Sequence, residues 1–172
     1  LYVGSRAPHK NFNLLTQAYS IWSHRKDVKL AVVGRPWLPD EERRLAELGI
    51  LHSVPLLSGV GDAALCWLYN QANAFIYPSL YEGFGIPLLE AMACGCPVVA
   101  SRIPSTVETA GDCPIYFEPT KKDSLLTALH TALSEGRNSE RVRSGLERVR
   151  MYSWERTARQ TLEVYRSLSG AG

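Results

Sequence analysis

No stretch of this chain approaches the run of about 20 apolar residues that a membrane-crossing helix needs. No signal peptide is read, though the chain opens so abruptly in a strand-like segment that its true start is expected to lie upstream. An excess of charge of either sign is also missing. Nineteen Lys and Arg face seventeen Asp and Glu, a net charge of +2, which gives no basic footprint for a nucleic-acid partner. Cysteine is scarce, and of Cys66, Cys94, Cys96 and Cys113 only Cys94 and Cys96 are close in sequence. A lone C-x-C is not a zinc pattern, so the four read as small buried or half-buried thiols in a reducing compartment. No Asp or His cluster has metal-ligand spacing, and no bound metal is implied. Internal repeats and low-complexity segments are absent. So is a G-x-G-x-x-G after the first strand, which argues against a dinucleotide dehydrogenase.

What the chain has is an ordinary globular balance, 45% hydrophobic and 21% charged over 172 residues, enough for one domain with a real core. Leu1–Gly4 reads as a strand and residues 5–10 as a loop holding Pro8. Phe12, Leu15, Tyr19 and Trp22 recur at helical spacing, which predicts an amphipathic helix over 11–25 with its aromatic face in the core. Strands follow at 28–33, 53–57 and 75–77. Charged 40–48 reads as a short helix. Asp62 reads as the N-cap of a helix carrying Leu65, Leu68, Tyr69 and Ala72 on one face. Ser105-x-x-Glu108 fits a capping box, a structural role for Glu108. A strand at 115–117 precedes three helices, near 122–135, 139–150 and 153–168. The last is capped by Ser153 and carries Trp154, Ala158, Leu162 and Tyr165 on one stripe, with residues 169–172 expected to fray. Strands alternating with helices of this length predict an α/β fold: a doubly wound, Rossmann-like parallel sheet of about six strands, helices on both faces, and a helical C-terminus.

The most informative stretch runs from Tyr77 to Ala100. A short apolar strand ends at Pro78, Gly83 and Gly85 follow, Pro87 suits a first helical turn, Gly95 suits a helix stop, and Val98–Ala100 reads as the next strand. In such a βαβ unit the loop at the strand's carboxyl end is where ligands bind, and the helix N-terminus favours phosphate. Glu82 and Glu90 bracket that loop. A carboxylate accepts two hydroxyls at once, so acids beside an anion site suit a sugar and a ribose. Spacing alone equally allows Glu90 to be a solvated helix residue and Glu82 a loop charge.

The segment YEGFGIPLLEAMACGCPVVAS, Tyr81 to Ser101, resembles the E-x7-E signature of retaining glycosyltransferases of family 4, the glycosyl transferases group 1 family. The resemblance extends through Val3-Gly4-Ser5 to Lys10-Asn11, Leu30 to Gly34, Ser58-Gly59-Val60 with Leu68-Tyr69, and Tyr152 to Ala158, nearly the full chain. It implies that residues 1–172 are one half of a GT-B fold, the C-terminal donor-binding domain, with the N-terminal acceptor domain absent. Such a half would bind a nucleoside-diphosphate sugar, UDP- or GDP-linked, with no other cofactor, and would be inactive alone.

By the same resemblance Glu82 contacts sugar hydroxyls and Glu90 grips the ribose. Phe84, Gly85 and Ile86 present main-chain N–H groups to sugar and phosphates, and Lys10 neutralises the departing diphosphate. Gly4 lies in the first loop. Gly34, Arg35, Gly59, Val60 and Leu65 lie near the base. Family members carry an arginine next to the first glycine or before the lysine. Ser5 and His9 stand there in this chain, with Arg6 one position off and assigned to the diphosphate. The implied setting is cytoplasmic, the full-length protein peripheral at the inner face of the membrane, building cell-envelope polysaccharide, lipopolysaccharide or glycolipid; this domain itself shows no evident membrane contact. The alternatives are another GT-B sugar-nucleotide enzyme such as a 2-epimerase, or a non-catalytic nucleotide-binding module. A phosphorylase would need a pyridoxal lysine, for which this sequence offers no convincing site.

Overall fold

The computed structural model of the protein describes residues 1–169. Among the described residues, six short parallel strands alternate with α-helices as far as β6, after which the chain is helical, for eight α-helices in all. The strands are β1 (Tyr2–Val3), β2 (Val32–Val33), β3 (Leu56–Leu57), β4 (Phe75–Tyr77), β5 (Val98–Ser101) and β6 (Ile115–Phe117). The helices are α1 (Phe12–Ile21), α2 (Pro39–Glu47), α3 (Asp62–Gln71), α4 (Ile86–Ala93), α5 (Pro104–Ala110), α6 (Lys122–Glu135), α7 (Glu140–Arg148) and α8 (Trp154–Ser169). The strands form two three-stranded sheets, β1-β2-β3 and β4-β5-β6. Tyr2 is in register with Val32, Val32 with Leu56, Phe75 with Val98, and Val99 with Ile115. The sheets meet where the Ile76 N–H donates to the Leu1 carbonyl at 2.9 Å and the Leu1 ammonium to the Ala74 carbonyl at 2.8 Å. The spatial order is therefore 3-2-1-4-5-6, and the winding reverses between β1 and β4.

The period-2 alternation of strand side chains splits the core in two. Val32, Ile76, Val99 and Phe117 face Phe12, Leu15 and Tyr19 of α1 and Leu125 and Leu129 of α6. Val33, Phe75, Tyr77, Val98 and Ala100 face Tyr69 of α3 and Leu88, Ala91 and Met92 of α4. Burial on both faces explains why these strands read as unbroken apolar runs.

Several local details differ from the sequence reading. The runs 28–33 and 53–57 form ladders of only two residues each: Val32–Val33 lie between Tyr2–Val3 on one side and Leu56–Leu57 on the other. Helix α1 stops at Ile21, where Trp22 turns to extended backbone and buries its ring. Gly61 rather than Asp62 is the N-cap of α3; Asp62 is its first residue, a place that favours a carboxylate through the helix dipole. The capping box at Ser105 and Glu108 is not formed, because α5 already starts at Pro104. Thr106 serves instead: its hydroxyl accepts from the Ile103 N–H at 3.3 Å and donates to the Ser101 carbonyl at 2.6 Å. Ser153 does cap α8, accepting from the Arg156 N–H at 3.1 Å. The stripe of Trp154, Ala158, Leu162 and Tyr165 is exposed. Of the expected fraying, residues 170–172 lie outside the described residues. Cys96 is buried and Cys94 and Cys113 are half-buried, but Cys66 is exposed, its sulfur 3.6 Å from that of Cys94.

One side chain gathers the carboxyl ends of α3 and α4. The Arg137 guanidinium donates to the carbonyls of Tyr69 and Ala72 and of Gly95 and, more distantly, Cys94. These are the carbonyls a helix end leaves without internal partners. We expect Arg137→Ala to cost about 2–3 kcal/mol, the loss of charged hydrogen bonds to part-buried acceptors. Lysine, lacking the planar fork, should restore only part of it. Thermal denaturation checks this, and an unchanged melting temperature in the alanine variant would contradict it.

Candidate functional site

The reversal between β1 and β4 opens a crevice at the strands' carboxyl ends, the place where ligands bind in open α/β sheets. Two loops face each other across it. One runs from Gly4 to Asn11 after β1 and closes with a 3₁₀ turn at Pro8–Lys10. The other runs from Pro78 to Gly85 after β4. They are stitched together: the Leu80 N–H donates to the His9 carbonyl at 2.7 Å, and the Asn11 amide to the Pro78 carbonyl at 3.0 Å and the Pro119 carbonyl at 2.7 Å. Asn11 holds a left-handed backbone, φ 56°, which asparagine tolerates better than most residues.

The charged centre of the crevice is an ion pair. Lys10 Nζ lies 2.6 Å from Glu82 Oε1, the side chains 23% and 10% exposed. Residues 72 positions apart are thus in direct contact. The Ser79 hydroxyl also donates to Glu82 Oε1 at 2.6 Å, and the Tyr77 hydroxyl bonds the same carboxylate. Burial raises the Glu82 pKa, but Lys10, Ser79 and Tyr77 outweigh it and hold the carboxyl below its ordinary 4.5. Burial and the neighbouring Glu82 push the Tyr77 phenol up, so it stays protonated and can donate.

Helix α4 starts beside this pair. Gly85 is its N-cap with φ 103°, and a Cβ there would sit 2.9 Å from Leu88 Cδ1. Only glycine enters the helix this way without strain. Pro87 occupies the first turn, where its missing N–H is not needed, and a helix N-terminus of this kind favours negative charge through its free N–H groups and dipole. Phe84 and Ile86 are each 45% exposed at the rim. The loop is held from behind. The Thr109 hydroxyl donates to the Phe84 carbonyl at 2.7 Å, and the Phe84 ring meets Tyr152 edge-on at 5.6 Å. Glu90, one turn into α4, accepts from the Tyr69 hydroxyl at 3.0 Å.

Gly4, Gly34 and Gly59 sit just past the carboxyl ends of β1, β2 and β3, on this same rim. Gly34 brings the first two strands close, since a Cβ there would meet the Gly4 carbonyl oxygen at 2.8 Å. Val60 and Leu65 pack partly against the core on the α3–α4 face. Arg6, which the resemblance assigns to the diphosphate, has a buried side chain. Its side chain is 1% exposed and bonded to Glu41 at 2.9 and 3.1 Å and to the carbonyls of Arg35 and Pro36. It also stacks over the Trp37 ring at 4.4 Å. Glu41 is shared with the exposed Arg35 at 3.1 Å, and Arg6 Nη1 is buried without a hydrogen-bond partner among the described residues. His9 is exposed, and its contribution to the stitching is its backbone carbonyl.

Ser79, Tyr77, Asn11, Thr109 and Tyr69 take part in this arrangement without having been singled out as site residues from the sequence. Asn11, directly after Lys10, and Tyr69, in the Leu68-Tyr69 pair, had a local signal. A hollow of about 280 Å³ near the strands' amino ends, lined by Leu15, Tyr19, Trp22 and Leu68 among others, contains none of the site's charged residues.

Residues 1–147 match the family model described as Glycosyl transferases group 1. O-antigen chain mannosyltransferase B of Escherichia coli is 36% identical over 173 residues, covering 98% of this chain and 45% of that protein. The MMP alpha-(1->4)-mannosyltransferase of Mycolicibacterium hassiacum is 37% identical over 165 residues, covering 92% of this chain and 40% of that protein. Among solved structures, sucrose-phosphate synthase from Thermosynechococcus elongatus is similar with a TM-score of 0.82 and 28% identity, over 99% of this chain and 45% of that one. The chain spans less than half the length of each.

The lowered Glu82 pKa has a consequence for acid stability. A group whose folded pKa lies below its unfolded one stabilises the fold fully above the unfolded value, and that contribution is lost as pH falls through the folded value. Replacing Glu82 by Gln should therefore flatten the fall of stability below about pH 4.5 and leave a constant difference from wild type above about pH 5.5. Urea denaturation between pH 2.5 and 7 measures it. Parallel curves at all pH values would show that the ion pair does not hold the carboxylate ionised.

Proposed function

The chain belongs to the glycosyl transferases group 1 family, with the fold of one half of a GT-B enzyme, and from that premise we propose that it is the donor-binding half of a retaining glycosyltransferase. It takes a nucleoside-diphosphate sugar, and the sugar passes to an acceptor held by an N-terminal domain. The observation that carries this is the Lys10–Glu82 pair at the start of α4, with Glu90 one turn further in. A cation, a helix N-terminus and two hydroxyl-accepting carboxylates lie along one crevice, and a nucleotide sugar needs all of these together.

In this reading the diphosphate lies over the first turn of α4. As the glycosidic bond stretches, positive charge develops at the sugar's anomeric carbon and negative charge on the leaving phosphate oxygen. Lys10 and the N–H groups at Gly85 and Ile86 stabilise the latter. Glu82 accepts hydroxyls of the sugar ring and orients it. Binding brings the Lys10 ammonium onto phosphate while Ser79 and Tyr77 keep Glu82 in place. Glu90 accepts the ribose hydroxyls. Gly34, Gly59 and Val60 border the base, with Arg35 on its outer side. Arg6 works from beneath, with Glu41, by holding the Arg35–Pro36 turn that edges the base site.

The relatives named as mannosyltransferases favour a mannosyl donor and an O-antigen-like or glycolipid acceptor. A share of 40–45% of those relatives' length supports a missing partner domain. Transfer needs both walls of the cleft to exclude water and align two substrates. The half alone therefore binds donor without transferring efficiently.

Calorimetric titration with UDP, GDP, ADP and NAD tests the reading. One nucleoside diphosphate should bind, and Glu90→Ala should weaken it roughly 10-fold, the worth of one or two hydrogen bonds to a charged group. Binding of NAD alone would favour an oxidoreductase. Nucleotide binding indifferent to Glu90 would contradict the assigned site.

A further inference from the structure

Glu90 receives a hydrogen bond from a second helix. Tyr69 of α3 donates its hydroxyl to Glu90 Oε2 at 3.0 Å. The tyrosine has little freedom to do anything else. It is 1% exposed, its ring stands edge-on to Phe75 at 5.4 Å, and its backbone carbonyl is tied to Arg137. The same guanidinium binds Gly95 just past α4, so the helix carrying the donor and the helix carrying the acceptor are clamped at their ends. Burial first, and then the Glu90 charge, keep the phenol protonated, so it remains a donor at any working pH.

A carboxylate offers two oxygens with about four lone-pair positions. With Oε2 tied to a buried phenol, the rotamer of Glu90 is set before any ligand arrives and Oε1 is left for a diol. We propose that Tyr69 is a positioning residue for nucleotide selection: it acts through Glu90, orienting that carboxylate to read the paired 2′- and 3′-hydroxyls of a ribose. The proposal rests on the reading of Glu90 as the ribose contact. It adds that discrimination between ribonucleotides and their deoxy counterparts is set from α3, by a side chain that touches no ligand.

The test pairs each nucleotide with its 2′,3′-dideoxy counterpart, using UDP, GDP and ADP as probes on wild type, Glu90→Ala, Tyr69→Phe and the double variant. Phenylalanine keeps the ring and its packing. Tyr69→Phe should lower affinity for the ribonucleotide roughly 3- to 10-fold and leave the dideoxy form unchanged, because the frozen rotamer is worth about that much in binding. Added to Glu90→Ala it should change the ratio no further. If Glu90→Ala shifts the ratio and Tyr69→Phe does not, the Tyr69 inference falls while the ribose reading stands. If Glu90→Ala weakens both forms alike, or no nucleotide binds, the underlying reading falls and the inference with it. A structure of the nucleotide complex checks the same point without mutation. Oε2 should remain on the Tyr69 hydroxyl with the ribose on Oε1, and a carboxylate swung away from Tyr69 would overturn the proposal.

Discussion

The Lys10–Glu82 ion pair crosses the seam between two sheets, and the shape of the crevice depends on it. At that seam two winding directions part, so the loops after β1 and β4 have no sheet above them to hold them together. The contacts that hold them are local: an ammonium on a carboxylate, the His9 carbonyl on Leu80, and the Asn11 amide on Pro78. A half-buried pair of this kind gains little net energy, because desolvation offsets much of the attraction. What it supplies is placement. It puts a cation and an anion at the mouth of one helix, each still partly open to solvent.

The walls behind the crevice are stiffer than its mouth. Thr109 holds the Phe84 carbonyl, and Arg148 and Tyr152 bond the Thr109 carbonyl in turn. Gly85 admits the sharp entry into α4, and Leu88 beneath it is fully buried. Arg137 ties the far ends of α3 and α4. Polar groups at the rim thus stand on a core that alternates strictly, Phe75 and Tyr77 to one side and Ile76 to the other. Recognition at such a site exchanges contacts within a fixed frame rather than building the frame anew.

Much of this was legible in the residues. The strands at 75–77 and 115–117, the helix at 122–135 and the βαβ unit around Gly83 and Gly85 follow from local apolar runs and turn chemistry, and local signals need only local structure. Ladder lengths were not legible, because they depend on how far neighbouring strands, distant in sequence, run side by side. Nor was the true start of α5, where Thr106 bonds backward and displaces the expected role of Ser105. Hardest to read were the long-range partners. Glu41 claims Arg6 from 35 positions away, and Tyr69 reaches Glu90 across 21. Nothing in the sequence neighbourhood of Arg6 signals that its guanidinium is already bonded to Glu41. The amphipathic stripe of α8 was correct as a pattern, yet periodicity alone does not say what covers it.

The central claim is that the loops after β1, β2, β3 and β4 form one binding crevice. Backbone amide shifts of the isotope-labelled chain, followed during titration with the nucleoside diphosphate that binds, test it most directly. The account predicts perturbations confined to residues 4–10, 34–35, 58–61 and 82–90, with Gly85 and Ile86 moving most. Shifts clustered instead around the hollow lined by Tyr19, Trp22 and Leu68, at the strands' amino ends, would contradict it.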